Sequence, residues 1–554
     1  MTDRGFDVLI ENGLVVDGTG NPGYHANVGV CDGLIRIVRG HTGDIPAAER
    51  IDATGKVVAP GFIDIHSHSD LVLLHDQMLE MKIRQGVTTE VIGVDGLSYA
   101  PFADAADLHA FTQQNGGIAG LPPAALSWRT VGEQLEAYDG RTTVNVATLV
   151  GNTPLRINAL GWGAEPADQR AITEMRAMLR EAMYDGAFGL STGLDYPPGS
   201  HASTDEVVAL AAESARHGGI YHTHVRYGLG DGYLDPFKEA IEIASRAKSP
   251  LQVTHFSRSS RETHPGGAHR LLDLLDRAHD DGVDVTFDTY PYEWGGTRLS
   301  RLLPVWTQMG GPEALRARLS EPATRARIAE EIAASSGAAQ YVASRPFSDL
   351  RLGNLTAGPH QQFEGRFLSE VVVSLDRPLG QVVCDLVRDN PAATFTRPSP
   401  HAMSLWKFVC HPLGMIASDS VFIGSAPSPR VYGCFSRVLA EFVREERLLS
   451  LPEAVRKMTS LPAQRLGLTD RGILRDGQVA DVVVFDLELT AAPASFERPR
   501  EFAVGMEHVL VCGRPVLSNG VMTGATPGQA LRGPACGSNP GSAFLNSSDS
   551  LLLR

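Results

Sequence analysis

The chain has 554 residues, a formal charge of −15, 43% hydrophobic and 20% charged residues. That length holds a large core plus a smaller domain, and the composition is ordinary for a globular protein. The acidic balance argues against a nucleic-acid surface, and no apolar run reaches the ~18 residues of a membrane span. Six scattered cysteines form no C-x-x-C pair, so neither a disulfide framework nor a cysteine zinc ribbon is expected. The opening "MTDRGFDVLIENGLVVDGTG" is polar and strand-like rather than a signal peptide, which points to a cytoplasmic protein.

Residues 1–58 read as short strands with turns. Asn12-Gly13 and Asp32-Gly33 are hairpin dipeptides between apolar runs. From residue 60 strands alternate with helices: 60–66, 88–93, 143–150, 187–192, 219–224, 250–255, 283–290 and 414–419 are eight candidate strands. Between the third and fourth strands, Ile172, Met175, Leu179 and Met183 share one face of a helix over 168–185, with Asp168 as N-cap and Gly186 beyond its end. Ser203 and Glu206 fit a capping box opening the next helix, and Gly218 closes it. Eight β/α steps predict an α/β protein with a closed (β/α)8 barrel over 59–467. An insertion around 300–400 interrupts its last step, with a charged helical stretch at 312–336. Strand signals return after 470, in "RGILRDGQVADVVVFD" and "MEHVLVCGRPVLSNG". These pair naturally with residues 1–58 into a small β-sandwich domain, 1–58 plus 468–532. Residues 533–554 are rich in Gly, Ser and Asn and read as a loose terminus.

The chemistry-bearing residues gather at the predicted strand ends. In "GFIDIHSHSD", His66 and His68 are two apart and project to one face. Imidazole binds zinc and neighbouring ions, although an isolated H-x-H is weak evidence. Asp95 follows strand two, His222 and His224 end strand five, His255 ends strand six and Asp419 ends strand eight. In a barrel, all of these lie at the C-terminal mouth where active sites form. Each has a plainer reading: Asp95 before Gly96 as a turn residue, His255 as a packed core histidine, Asp419 as a cap. Jointly these require five independent coincidences.

The motifs "PGFIDIHSHSD", "QGVTTEVIGVDGLSYAP", "GLSTGLDYPPG", "YHTHVR", "DTYPY", "MIASDS", "SPRVYGCFSRVL" and "MTSLPAQRLGL" together resemble the D-aminoacylase (N-acyl-D-amino-acid deacylase) branch of the amidohydrolase superfamily, over residues 6 to 532. The resemblance implies a metal-dependent (β/α)8 TIM barrel with a β-sandwich from both chain ends. It implies that His224 and His255 hold a tightly bound zinc and that His66 and His68 hold a second, weaker metal position. It further implies Asp419 as general acid/base, Arg430 as a clamp on the substrate carboxylate, and Tyr196 as a pocket-lining group. Two departures stand out. Asp95 occupies the place of a bridging cysteine, and Ser257 stands where several members carry lysine. A carboxylate keeps the −1 charge and bridges two ions, but it is a harder ligand than thiolate, so Mn2+ or Fe2+ join Zn2+ as candidates.

In this reading a divalent ion polarises an amide carbonyl and acidifies water, while Asp419 moves the proton from water to the leaving nitrogen. Arg430 offers a carboxylate two parallel hydrogen bonds. Arg226 is an alternative anion clamp or, equally, part of a rim salt bridge. Tyr290 orients a carbonyl or, like Tyr292, simply packs. The partner is then a small N-acylated substrate, without nucleic acid or membrane, and a homo-oligomer is compatible with the sequence. Two rival functions remain open. One is a cyclic-amide hydrolase, disfavoured because "AFGLSTGLDY" holds no lysine to carboxylate. The other is a non-catalytic scaffold on the same fold.

Overall fold

A run of eight parallel strands needs helical crossovers to return the chain, and burial on both faces follows. The computed structural model describes residues 5–256, 267–334, 349–356, 358–398, 404–422, 424 and 427–537. Its strands are β1 (Phe62–Asp64), β2 (Val87–Ile92), β3 (Asn145–Thr148 and, after Leu149, Val150–Gly151), β4 (Gly189–Gly193), β5 (Ile220–His224), β6 (Leu251–Val253), β7 (Val285–Thr289) and β8 (Gly414–Ile416). Every neighbouring pair from β1 to β8 is parallel. The ring is joined back to its start where the Asp419 amide donates to the His66 carbonyl at 2.9 Å and Ser67 bridges Ser420. The predicted (β/α)8 barrel is the observed architecture. Its interior is filled by Ile63, Val91, Ala147, Ile220 and Met415, with Leu466 and Leu531 in the same apolar cluster.

Local signals act as read from the sequence, with one difference. The helix Gln169–Asp185 is capped by Asp168, whose carboxylate accepts the Ala171 amide, and ends at Gly186 with φ 119°. Ser203 caps Thr204–Arg216 by accepting the Glu206 amide. The reciprocal half of the expected capping box is missing because the Glu206 carboxylate is drawn 2.5 Å from the fully buried Arg156. An ion pair to a buried guanidinium outweighs a bond to an amide at a helix start.

Outside the barrel, strands Phe6–Glu11, Asn27–Cys31, Leu34–Val38 and Ala47–Asp52 make a four-stranded sheet. A seven-stranded sheet joins Leu14–Val15, Tyr24–His25 and Val57–Pro60 from the start of the chain to Val482–Phe485, Met506–Val511, Arg514–Ser518 and Val521–Met522 from its end. Val8, Ile10, Val28 and Val30 of the first sheet share an apolar cluster with Val58, Val482, Val484 and Leu510 of the second. Asp32-Gly33 turns a two-residue hairpin, with Cys31 opposite Leu34. Asn12-Gly13 does not. Its flanking strands go to different sheets, because Phe6–Glu11 pairs with Asn27–Cys31 and Leu14–Val15 pairs with Val57–Pro60. Asn12, at φ 65°, is held there by its side-chain bond to Asp52. A turn dipeptide fixes local bending only, and the sheet each strand joins is decided by where its apolar face is buried.

The insertion carries its own core. Trp294–Arg298, Thr394–Pro398 and Arg351–Gly353 form an antiparallel sheet, and Leu299, Leu319, Ile328, Val383 and Phe395 pack together beside it. The charged helical stretch read at 312–336 holds two helices, Gly311–Ser320 and Pro322–Ala333, divided where proline starts a new first turn. The start of the segment read as a loose terminus is tied down: the Gly533 amide donates to the Gly186 carbonyl at 2.8 Å. Residues 538–554 of that segment lie outside the described residues.

Candidate metal centre and catalytic site

The C-terminal ends of β1, β2, β5, β6 and β8 bring four imidazoles around one carboxylate oxygen, with a second carboxylate beside them. Asp95 Oδ2 lies 3.5 Å from His66 Nε2, 3.7 Å from His68 Nε2, 3.6 Å from His224 Nδ1 and 3.7 Å from His255 Nε2. Asp419 Oδ1 is 3.3 Å from His68 Nε2 and 3.7 Å from His66 Nε2. Two ligand sets share Asp95: His66, His68, Asp95 and Asp419, and Asp95, His224 and His255, with all donor atoms of each within 4.8 Å of one another. The backbone is strained to achieve this. Asp95, His255 and Asp419 have φ of 52°, 34° and 44°, where side-chain-bearing residues rarely sit.

The donor set fits a divalent ion. Buried His66 Nε2 and Asp95 Oδ1 have no hydrogen-bond partner among the described residues, which is costly unless something occupies the centre. Burial works against a charge on His66, but Asp95 and Asp288 outweigh it and lift its pKa well above the usual value. Burial likewise opposes His224, while Asp195 and Asp95 raise it to about 9. Burial would raise Asp95, yet His66, His224 and His255 hold it well below the carboxylate range. A field that holds protons on imidazoles is one a cation satisfies instead.

Outer carboxylates aim the ligands. Asp288, on β7, accepts from His66 Nδ1 at 3.1 Å, from the His255 amide at 2.8 Å and from Gln252 Nε2 at 3.0 Å. With Nδ1 donating, His66 turns its Nε2 lone pair to the centre. Asp195 Oδ2 stands 3.5 Å from His224 Nε2 and 2.8 Å from Arg301, and Tyr227 Oη is 3.2 Å from His255 Nδ1. Sequence reasoning gave Asp288 and Asp195 no role, although both sit inside quoted motifs, "DTYPY" and "GLDYPPG". His222, two residues before His224 on β5, meets the His66 ring edge-on, with centroids 5.4 Å apart. Burial drives its pKa down to about 4, keeping it neutral.

Beneath the mouth a fully buried network ties the first strand to the last. Lys82 Nζ lies 2.6 Å from Asp64, 2.8 Å from Glu90 and 2.8 Å from Ser418 Oγ. Asp64 accepts the Ser418 amide at 3.0 Å, and Glu90 accepts the hydroxyls of Ser67 and Ser69. The loop carrying His66 and His68 is thereby fastened to the residue before Asp419. Lys82→Met is expected to cost about 3–5 kcal/mol, since it strands two buried carboxylates. Denaturant unfolding checks this, and a loss below ~1 kcal/mol would show that the network is not a buried ion pair in solution.

The remaining sequence candidates separate. Arg430 is fully buried, with Nη1 2.9 Å from Asp419 Oδ2 and its plane 4.6 Å over the Tyr290 ring. Its Nε and Nη2 have no hydrogen-bond partner among the described residues. Tyr196 bonds Thr297 at 3.1 Å, and its ring is 4.8 Å from that of His224. Arg226 is spent on structure. It pairs with Glu239 at 3.2 Å and donates to the Ser200 and Ala202 carbonyls at 2.6 and 2.8 Å, so the rim salt bridge replaces the anion-clamp reading. Tyr292 packs in the core under Arg437. Ser257 lies outside the described residues.

Residues 49–317 and 415–517 match the Amidohydrolase family. The chain belongs to that family. N-acyl-D-glutamate deacylase of Alcaligenes xylosoxydans xylosoxydans is 34% identical over 535 residues, covering 95% of this chain and 96% of the relative. D-aminoacylase of the same organism is 33% identical over 536 residues, covering 95% and 97%. A solved structure of N-acyl-D-glutamate deacylase from Bordetella bronchiseptica, complexed with zinc and a phosphonate mimic of the tetrahedral intermediate, superposes with a TM-score of 0.79 at 31% identity. It covers 96% of this chain and all of that one. This amidohydrolase is thus a hydrolase of amide C–N bonds whose His/Asp groups suit a divalent metal. No helix among the described residues is long and apolar enough to cross a membrane.

Proposed function

We propose that this amidohydrolase removes the acyl group from N-acyl-D-amino acids in the cytoplasm, with Zn2+ as its metal. The observation that carries this reading is the convergence of four imidazoles and Asp419 on Asp95, beside a buried arginine with unspent donors. His224, His255 and Asp95 would hold one ion, and His66, His68 and Asp95 are the residues that would hold a second. A divalent ion held there would supply Lewis acidity, lowering the pKa of water towards neutrality and polarising a carbonyl. Asp419 is the base that accepts the proton of the attacking water and the acid that delivers it to the leaving nitrogen. Burial would raise its pKa, but the Arg430 guanidinium, His68 and His66 hold it well below the carboxylate range, so it begins the cycle ionised.

Arg430 is placed to do two things. Nη1 orients Asp419, and the free Nε and Nη2 edge suits the substrate's α-carboxylate, which binds through paired charge-assisted hydrogen bonds. Tyr290 beneath the guanidinium keeps it flat. Tyr196 supports the opposite wall beside His224. A linear amide is favoured over a cyclic one because β4 offers no lysine, and Asp95 takes the central place among the four imidazoles.

A screen of N-acetyl amino acids of both hands against hydantoins, using metal-loaded protein, tests the reading. Turnover confined to the D-acyl series is expected, and turnover of hydantoins alone would overturn it. Arg430→Ala is expected to raise KM for acyl-amino acids by about 10–100-fold, the loss of a charged hydrogen bond. Uncharged acyl amides should change much less, and equal effects on both would remove the clamp.

A further inference from the structure

Asp419 has a backbone that its surroundings must enforce. Its φ of 44° lies where a residue with a side chain seldom rests unless the structure around it over-determines that shape. It also stands on a thin seam of the barrel. Among the described residues, the segments leaving β1 and β8 are joined by one bridge, Ser67 to Ser420, and by the Asp419 amide donating to the His66 carbonyl at 2.9 Å. The other neighbours in the ring are joined by runs of paired residues. The backbone ladder therefore does little to fix where the Asp419 carboxylate stands.

A buried side-chain cluster supplies the hold. Ser418, the residue before Asp419, is 1% exposed, and its hydroxyl uses its hydrogen and both lone pairs. It donates to Asp64, accepts from Lys82 Nζ at 2.8 Å and accepts from the Ser420 hydroxyl at 2.6 Å. The Ser418 amide donates to the other oxygen of Asp64 at 3.0 Å. Both residues flanking Asp419 are thus tied to Asp64 of β1, and Glu90 of β2 joins through Lys82 at 2.8 Å. Neither Asp64 nor Glu90 belongs to the donor groups gathered at the centre, so the cluster reaches the site only through the residues it holds. Ionised groups buried as pairs add little net stability over apolar packing. What they add is direction, because a hydrogen bond fixes an angle and apolar contact is non-directional.

We infer that Ser418, fastened by Asp64 and Lys82, is the positioning residue of Asp419 and sets the place from which its carboxylate moves the proton. This rests on the reading of Asp419 as the acid/base and adds the residue through which the barrel aims it. Removing the Ser418 hydroxyl deletes three contacts at once and frees the left-handed backbone beside it to relax. A displacement of about 1 Å is enough to cost roughly 10²-fold in rate. Ser418 acts through Asp419 alone, so the loss falls on kcat rather than on substrate or metal binding.

The test is a double-mutant cycle on metal-loaded protein: wild type, Ser418→Ala, Asp419→Asn and the double variant, each assayed on the best substrate of the screen described above. Ser418→Ala is expected to lower kcat by about 10–100-fold, with KM and metal content near the wild-type values. In the Asp419→Asn background the same substitution should change kcat by no more than about twofold, the scatter of independent effects, because the group it places is gone. Wild-type kcat in Ser418→Ala, with Asp419→Asn inactive, overturns the inference and leaves the acid/base role of Asp419 intact. A loss that persists undiminished in the double variant, or that follows lost metal, overturns it too. Turnover near the wild-type rate in Asp419→Asn removes the acid/base reading and this inference with it. If Ser418→Ala does not fold, Ser420→Ala, which removes the hydroxyl that donates to Ser418, goes through the same cycle and decides.

Discussion

Asp419→Asn is expected to lower kcat by about 10²–10⁴-fold, the usual contribution of a positioned acid/base, while leaving the fold and the bound metal in place. The isosteric amide keeps the left-handed backbone at φ 44° accessible, because Asn tolerates that region as Asp does. It also retains an oxygen facing His68 or Arg430, which lie 3.3 and 2.9 Å away. What it loses is the capacity to accept the proton of water and return it to nitrogen. Steady-state kinetics on an N-acetyl-D-amino acid, with circular dichroism and elemental analysis on the same preparation, separate chemistry from folding. Turnover near the wild-type rate would reassign Asp419 to a ligand or a cap.

Asp95→Ala is expected to strip the centre. Losing an outer partner of a metal ligand already costs about 10–100-fold in affinity. Asp95 is the point on which four imidazoles converge, so its removal should cost more, and activity should fall with metal content. Dialysed protein assayed by elemental analysis checks this, and unchanged metal would reduce Asp95 to the turn residue its neighbour Gly96, at φ 72°, would suit. Asp95→Cys supplies the companion result. The thiolate restores the ligand that the D-aminoacylase resemblance implies, so metal should be kept and selectivity should move toward zinc over manganese.

The eight strands were legible because each is a short apolar run between helices with plain caps. The cluster of candidate donors was legible because its members stand at those strands' C-terminal ends. His66 and His68 announce themselves by spacing, and His224, His255 and Asp419 by position. Other features have no local signature. Lys82, Asp64 and Glu90 look like surface charges in the sequence, yet all three are fully buried and paired. The split of Phe6–Glu11 and Leu14–Val15 between two sheets is equally invisible, since Asn12-Gly13 suits a hairpin and nothing nearby forbids one.

By itself, then, the chain's sequence determined the barrel and the placement of its candidate metal donors at strand ends, because periodicity and strand-end placement are short-range properties. Only the tertiary structure decided what the arginines do. Arg226, Arg298, Arg301 and Arg430 are the same residue with the same donors. Arg226 is spent on Glu239 and Arg301 on Asp195, Arg298 donates to Asn115, and Arg430 keeps Nε and Nη2 unspent. The reach of a guanidinium is a few ångströms, and which carboxylate falls within it is set by contacts between elements far apart in the chain.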